Sequence, residues 1–159
     1  MKKFIKRILL ILVVLLVLIQ LYPKAKKNND LGTSNDISHV HSVPGNVQEI
    51  LKTSCYDCHS NNTHYPWYSN IQPVYYWLND HIEEGKKELN FSEFATYNLA
   101  RQYRKLEEIM KQLKEDEMPL QSYTIIHRDA NLTAEQKEEL VAWAKANMEN
   151  MKPKHTEFN

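Results

Sequence analysis

The stretch Ser54-Cys55-Tyr56-Asp57-Cys58-His59-Ser60-Asn61 decides how the rest of the chain is read. It contains the pattern C-x-x-C-H. Two thiols at this spacing can add to the two vinyl groups of one porphyrin, and the adjacent histidine can ligate the iron. Cys55 and Cys58 are the only cysteines among the 159 residues, so no thiol is left for a disulfide framework or a four-cysteine metal site. The same spacing occurs in redox dithiols, which want a strand-helix setting, and in zinc sites, which want four ligands. Here the flanks read as helical, and His59 and His64 crowd the cysteines instead of forming a second pair. The motif therefore predicts one covalent haem c on Cys55 and Cys58, with His59 as the proximal iron ligand.

Export would suit such a motif, and the N-terminus is read in that light. Lys2, Lys3, Lys6 and Arg7 precede an unbroken apolar run from Ile8 to Ile19, followed by Gln20, Leu21, Tyr22 and Pro23. A membrane-spanning helix needs about 20 apolar residues. Counted from Phe4 to Tyr22, with Lys6 and Arg7 reaching to the interface, the segment is expected to act as an uncleaved signal anchor. A cleaved signal is the alternative, although no small residue precedes a cut site before Ala25. The basic excess on the N-terminal side and the haem motif together predict a single-pass protein of the cytoplasmic membrane, its haem domain facing the periplasm.

Charge is distributed unevenly. The first 27 residues hold seven basic side chains and no acidic one; from Asn28 onward 13 Lys and Arg stand against 20 Asp and Glu, a net of −7. An acidic body is a poor ligand for nucleic acid. It suits a redox partner carrying a basic docking patch.

The chain divides into an N-terminal anchor over 1–27, a polar tether over 28–42, a haem-binding domain over 43–148 and a flexible tail over 149–159. His39 and His41 in the tether, and His155 in the tail, are expected to be solvated. Glycine is scarce and no stretch alternates as a strand, so the domain is expected to be all-α. Val47, Ile50 and Leu51 mark a first helix over Pro44 to Thr53. Pro73 to Glu84 reads as a second, ended by Gly85, with Val74, Trp77, Leu78, His81 and Ile82 as its apolar stripe. Ser92 is expected to cap a long helix to about Asp116, striped by Leu99, Tyr103, Leu106, Met110 and Leu113. Thr133 and Gln136 form a capping box for the last helix, which carries Leu140, Trp143, Ala144 and Met148.

The iron's sixth position decides between electron transfer and chemistry. Met118 is the leading candidate. Pro119 disfavours helix at Met118, which leaves it on a loop able to cross a haem face. His81, on its apolar stripe, is the alternative distal ligand or a pocket residue. His64 is expected in a loop, and His127 is expected to line the pocket or cap a chain end. Tyr65, Trp67, Tyr68, Tyr75, Tyr76 and Trp77 are expected to help enclose the porphyrin.

Several of these segments, in order, resemble the haem-binding domain family of small membrane-anchored bacterial proteins. They are Ser54 to Asn61, Tyr65-Pro66-Trp67-Tyr68, Ile71-Gln72-Pro73-Val74, His81, Gly85, Leu89-Asn90-Phe91-Ser92, Met118-Pro119, Tyr123, His127 and Ala130-Asn131-Leu132. The resemblance covers roughly 43–148 and implies one covalent haem c in a cytochrome-c-like helical domain. It implies no reaction. The expected function is electron transfer, not catalysis. The alternative is a haem enzyme or sensor with an open distal site, where His81 or His127 would supply a base; transient haem carriage fits covalent attachment poorly.

Overall fold

The computed structural model describes residues 1–24 and 34–151. Residues 25–27 of the basic flank, residues 28–33 of the tether and residues 152–159 of the tail, with His155, lie outside the described residues, whereas 149–151, expected as flexible tail, are the end of the last helix. The described chain is helical throughout and contains no extended strand. In order come α1 (Lys2–Ile19), α2 (Gly45–Ser54), α3 (Tyr56–His59), α4 (Val74–Glu88), α5 (Leu99–Lys114), α6 (Gln121–Thr124) and α7 (Ala134–Met151), joined by short 3-10 turns.

The core forms where α5 and α7 lie along each other. Leu106 and Leu113 of α5 meet Leu140, Ala144 and Met148 of α7, and α2 adds Val47 and Leu51. Phe91 and Phe94 enter from the turn Phe91–Thr96 and are almost wholly buried. Each such side chain contributes about 1.5–3 kcal/mol of burial. The capping box of α7 forms as read: Thr133 N–H donates to Gln136 Oε1 at 2.9 Å, and Gln136 N–H to Thr133 Oγ1 at 3.2 Å.

Three sequence expectations for this region change. Ser92 caps no helix. Asn90 caps the turn Phe91–Thr96, and Asn98 caps α5 by accepting from Arg101 N–H at 2.9 Å. Leu99, read as the first member of the α5 stripe, is 69% exposed. The buried face of α4 is Tyr75, Leu78 and Ile82, one position round from the expected stripe, which leaves Val74 and Trp77 exposed.

Within Asp36 to Ser42, read as part of a solvated tether, Asp36, Ile37 and His41 are buried, while His39 is exposed as expected. Ile37 is fully buried in a turn that lies against Phe91–Thr96, and Ala95 N–H donates to Asn35 O at 2.9 Å. His41 is buried beside Phe94, with its Nε2 3.2 Å from Gln102 Oε1.

The expected transmembrane anchor is corrected. No described helix is long and apolar enough to cross a membrane. α1 has 18 residues, four of them Lys2, Lys3, Lys6 and Arg7. The uninterrupted apolar part, Ile8 to Ile19, extends only about 18 Å at 1.5 Å per residue, against about 30 Å of bilayer hydrocarbon. Nor does the helix run on to Tyr22. It stops at Ile19, and the Gln20 amide pairs with the Gln72 backbone, donating from Nε2 to its carbonyl and accepting its N–H on Oε1, each at 3.0 Å. The single-pass topology, and the orientation drawn from it, fall with the anchor.

Candidate functional site

Cys55 ends α2 and begins α3, and the single turn that follows carries Cys58 and His59 back over it: the Cys58 and His59 N–H groups both donate to Cys55 O, at 3.2 and 2.9 Å. Tyr56, between the thiols, points the other way into the core and stacks on Phe91 with ring centroids 5.3 Å apart. The turn is therefore fixed from its buried side, which presents Cys55, Cys58 and His59 to one cavity.

His59 is oriented by its own hydrogen bonds. Nδ1 lies 2.9 Å from Gly85 O and 3.0 Å from Leu89 O. Carbonyl oxygens only accept, so Nδ1 carries the proton and Nε2 keeps its lone pair. Such bonding commonly fixes the tautomer and ring direction of a metal-ligating histidine. Burial lowers the His59 pKa, with Lys105 adding to the effect against the two backbone bonds, and this favours the neutral, ligating form. Burial pushes the Cys55 thiol up to about 12 and the Cys58 thiol up to about 11. The two are not joined to each other as a disulfide.

Gly85 does not end α4; the helix continues through it to Glu88. Its role is close approach. A Cβ there would stand 2.7 Å from Cys58 O and 3.2 Å from Cys58 Cβ. A second support comes from the resemblance segments at Asn61 and Asn90–Ser92. Ser92 Oγ accepts Asn61 N–H at 3.0 Å, and Asn90 Nδ2 donates to Asn61 Oδ1 at 2.8 Å. These bonds tie the chain leaving the motif to the turn that carries Phe91.

The cavity has two lobes, about 370 and 320 Å³, which share Cys55, His59, Glu88 and Met118. The first lobe is walled by Leu51, Leu89, Phe91, Ile109, Leu113 and Leu140, with Lys105 at its rim between Glu88 and Glu108. Pro119, Leu120, Tyr123, His81 and Glu84 line the second. Among the described residues, no three or more His, Cys, Asp or Glu converge as a metal-ion site.

Met118 reaches the cavity because of how α5 ends. Asp116 takes the left-handed conformation at φ 57°, and Glu117 N–H donates back to Gln112 O at 3.0 Å. This is a Schellman termination with aspartate where glycine is usual. It turns the chain sharply so that Met118, followed by a cis bond to Pro119, lies across from the motif. His81 is at the cavity rim, its Nδ1 2.9 Å from Trp77 O. His64 is exposed, and His127 is bonded to Tyr68. The aromatics expected to enclose a porphyrin are not the ones in place. Trp67, Tyr76 and Trp77 are exposed, while Phe91 and Tyr123 supply the rings of the wall. Reading the sequence overlooked Asp57, Lys105 and the packing role of Gly85; Gly85 carried a usable signal as one of only three glycines in the chain.

A flat apolar group bearing vinyl substituents and an iron fits this donor set: two adjacent thiols, one imidazole with a free Nε2, and a largely hydrophobic two-lobed cavity. Fold and site together define a small all-helical haem-binding domain. The chain belongs to the haem-binding domain family, whose model matches residues 14–146. No curated protein and no solved structure matches it.

Proposed function

We propose that the protein holds one haem c, joined by thioethers to Cys55 and Cys58 and ligated by His59 and Met118, and that it transfers electrons. The observation that carries this reading is the convergence of both thiols, the free Nε2 of His59 and the Met118 thioether on one cavity. When bound, the haem supplies a one-electron iron couple, and a histidine-methionine ligand pair raises its potential. The protein's part is to hold the ligands, wall off water with Leu51, Phe91, Leu113 and Leu140, and keep Nδ1 of His59 protonated. The partner is a redox protein with a basic docking patch, in keeping with the acidic body and with Glu84, Glu88 and Glu108 at the cavity mouth. A haem enzyme or sensor is the second reading, favoured by His81 at the rim of the same cavity, where it can replace Met118 or stand free.

Two measurements test the proposal. Haem should stay with the denatured polypeptide and be lost from it in a Cys55→Ser/Cys58→Ser variant; equal retention in both rules out thioether attachment. The oxidised protein should show a weak near-infrared sulfur-to-iron band that disappears in Met118→Ala. A band-free spectrum that Met118→Ala leaves unchanged would favour His81 or an open site.

A further inference from the structure

The segment that follows Met118 has little apolar hold on the domain. From Pro119 to His127 only Thr124 is buried, while Ile125 and Ile126 are 67% and 61% exposed. It is tied down by polar contacts at two points. Tyr123 Oη donates to Asp57 Oδ2 at 2.6 Å, and Asp57 is the residue between the two thiols' turn positions, its other oxygen accepting His64 N–H at 2.9 Å. Four residues on, His127 Nε2 is 2.6 Å from Tyr68 Oη in the turn Trp67–Asn70. The two points are rigidly joined, because the Tyr123 and His127 rings stack with centroids 4.3 Å apart and planes 12° apart.

We infer that Asp57–Tyr123 and Tyr68–His127 form a two-point latch that holds Met118 over the haem motif and so controls whether the sixth iron position is filled. These four are positioning residues, and the inference rests on Met118 as the sixth ligand. Its logic is mechanical. Met118 lies five residues before Tyr123, and one latch point is inside the C-x-x-C-H turn itself, so the loop and the proximal ligand are referenced to the same short element. Hydrogen bonds to a charged acceptor are the stronger ones. Removing one should shift the balance between Met118 bound and Met118 released by about ten- to a hundredfold.

The test uses ferric holoprotein and cyanide, which competes for the sixth position, in wild type, Tyr123→Phe, Met118→Ala and the double variant. Phenylalanine keeps the ring stack on His127 and deletes only the hydroxyl; Tyr68→Phe attacks the other point independently. Tyr123→Phe, which loses a bond to a carboxylate, should bind cyanide at least about tenfold more tightly than wild type, and Tyr68→Phe, which loses a bond to an imidazole, about two- to tenfold more tightly. In the Met118→Ala background, where no thioether is left to release, Tyr123→Phe should change the affinity by less than about twofold. An equal effect in both backgrounds would mean that the hydroxyl acts only on general structure. No effect of either latch variant in the wild-type background also overturns the latch, while loss of the near-infrared band in Met118→Ala would still uphold the ligand. Unaltered cyanide affinity and spectrum in Met118→Ala remove the ligand and the latch together.

Discussion

Gly85 is where the C-x-x-C-H turn bears on the rest of the molecule. Its carbonyl receives the His59 imidazole, and its missing Cβ makes room for the Cys58 backbone. Two effects oppose each other in Gly85→Ala. Alanine favours an interior helical position by about 1 kcal/mol. Against this, the added methyl would meet a carbonyl oxygen at 2.7 Å, and backbone does not yield as a flexible side chain does. Overpacking of that kind costs about 1–3 kcal/mol, and here it also displaces His59. The clash should win: Gly85→Ala should lower the urea midpoint and the yield of haem-loaded protein, and a midpoint equal to or above wild type would show that α3 and α4 separate without cost. Cys55, Cys58 and His59 stood out in the sequence by their close spacing, and all three line one cavity. Gly85 was misread as a helix stop because its reason lies 26 residues away, across a tertiary contact. Tyr123 and Asp57 were hidden for the same reason: each is ordinary alone, and their meaning is in the pair.

At the level of elements, helices whose ends are set by local chemistry were read well, and those set by neighbours were not. The capping box at Thr133 is complete within four residues, so α7 followed from it. The region before α5 offered several polar caps in a row. Ser92 was the expected cap, but its hydroxyl is committed to the N–H of Asn61, and Asn98 caps α5 instead. The far end of α5 carries a sharper test. Asp116 sits at φ 57°, where a side chain costs an L-residue about 1–2 kcal/mol, more for a β-branched one. Asp116 also pairs with Lys137, an exposed contact of small worth. Asp116→Gly and Asp116→Val both lose that pair, so their difference isolates the backbone. The glycine variant should be more stable by about 1–2 kcal/mol in chemical denaturation. Only the valine variant should weaken the near-infrared sulfur-to-iron band, since the Schellman turn is what delivers Met118 to the cavity. Equal stability of the two variants would mean that the turn can relax out of the left-handed region.

On the scale of the whole molecule, the all-helical class was plain because apolar residues recur at helical spacing and glycine and strand-like alternation are scarce. The segment before Val43 was not, for two physical reasons. The apolar run of α1 is long enough to attract attention, but four basic residues and the stop at Ile19 leave it short of a span. The segment beyond it looked like a tether because its composition is polar, yet Asp36, Ile37 and His41 are buried. This strap joins the two main helices. His41 is bonded to Gln102 of α5, and Trp143 Nε1 and Asn147 Nδ2 of α7 both donate to Ser42 O, at 2.9 and 3.4 Å. Burial lowers the His41 pKa from its ordinary 6.5, opposed by its bonds to Gln102 and Asn147. The sign of the consequence follows from proton linkage. As pH falls through 6.5, the unfolded chain takes up a proton at His41 before the folded chain does, so the unfolded state binds more protons and stability drops. The contribution of neutral His41 should be intact above pH 7, decline as pH falls below 6.5 and level off below the depressed folded value. His59 carries a shift of the same direction in the haem-free protein, so a subtraction is needed to separate the two. His41→Gln keeps a neutral polar group facing Gln102 and removes only the proton site. Urea midpoints of the haem-free protein from pH 8 to pH 5 should fall for both proteins, but less steeply for His41→Gln. Parallel curves would place the proton uptake elsewhere and leave the strap with no part in the acid response.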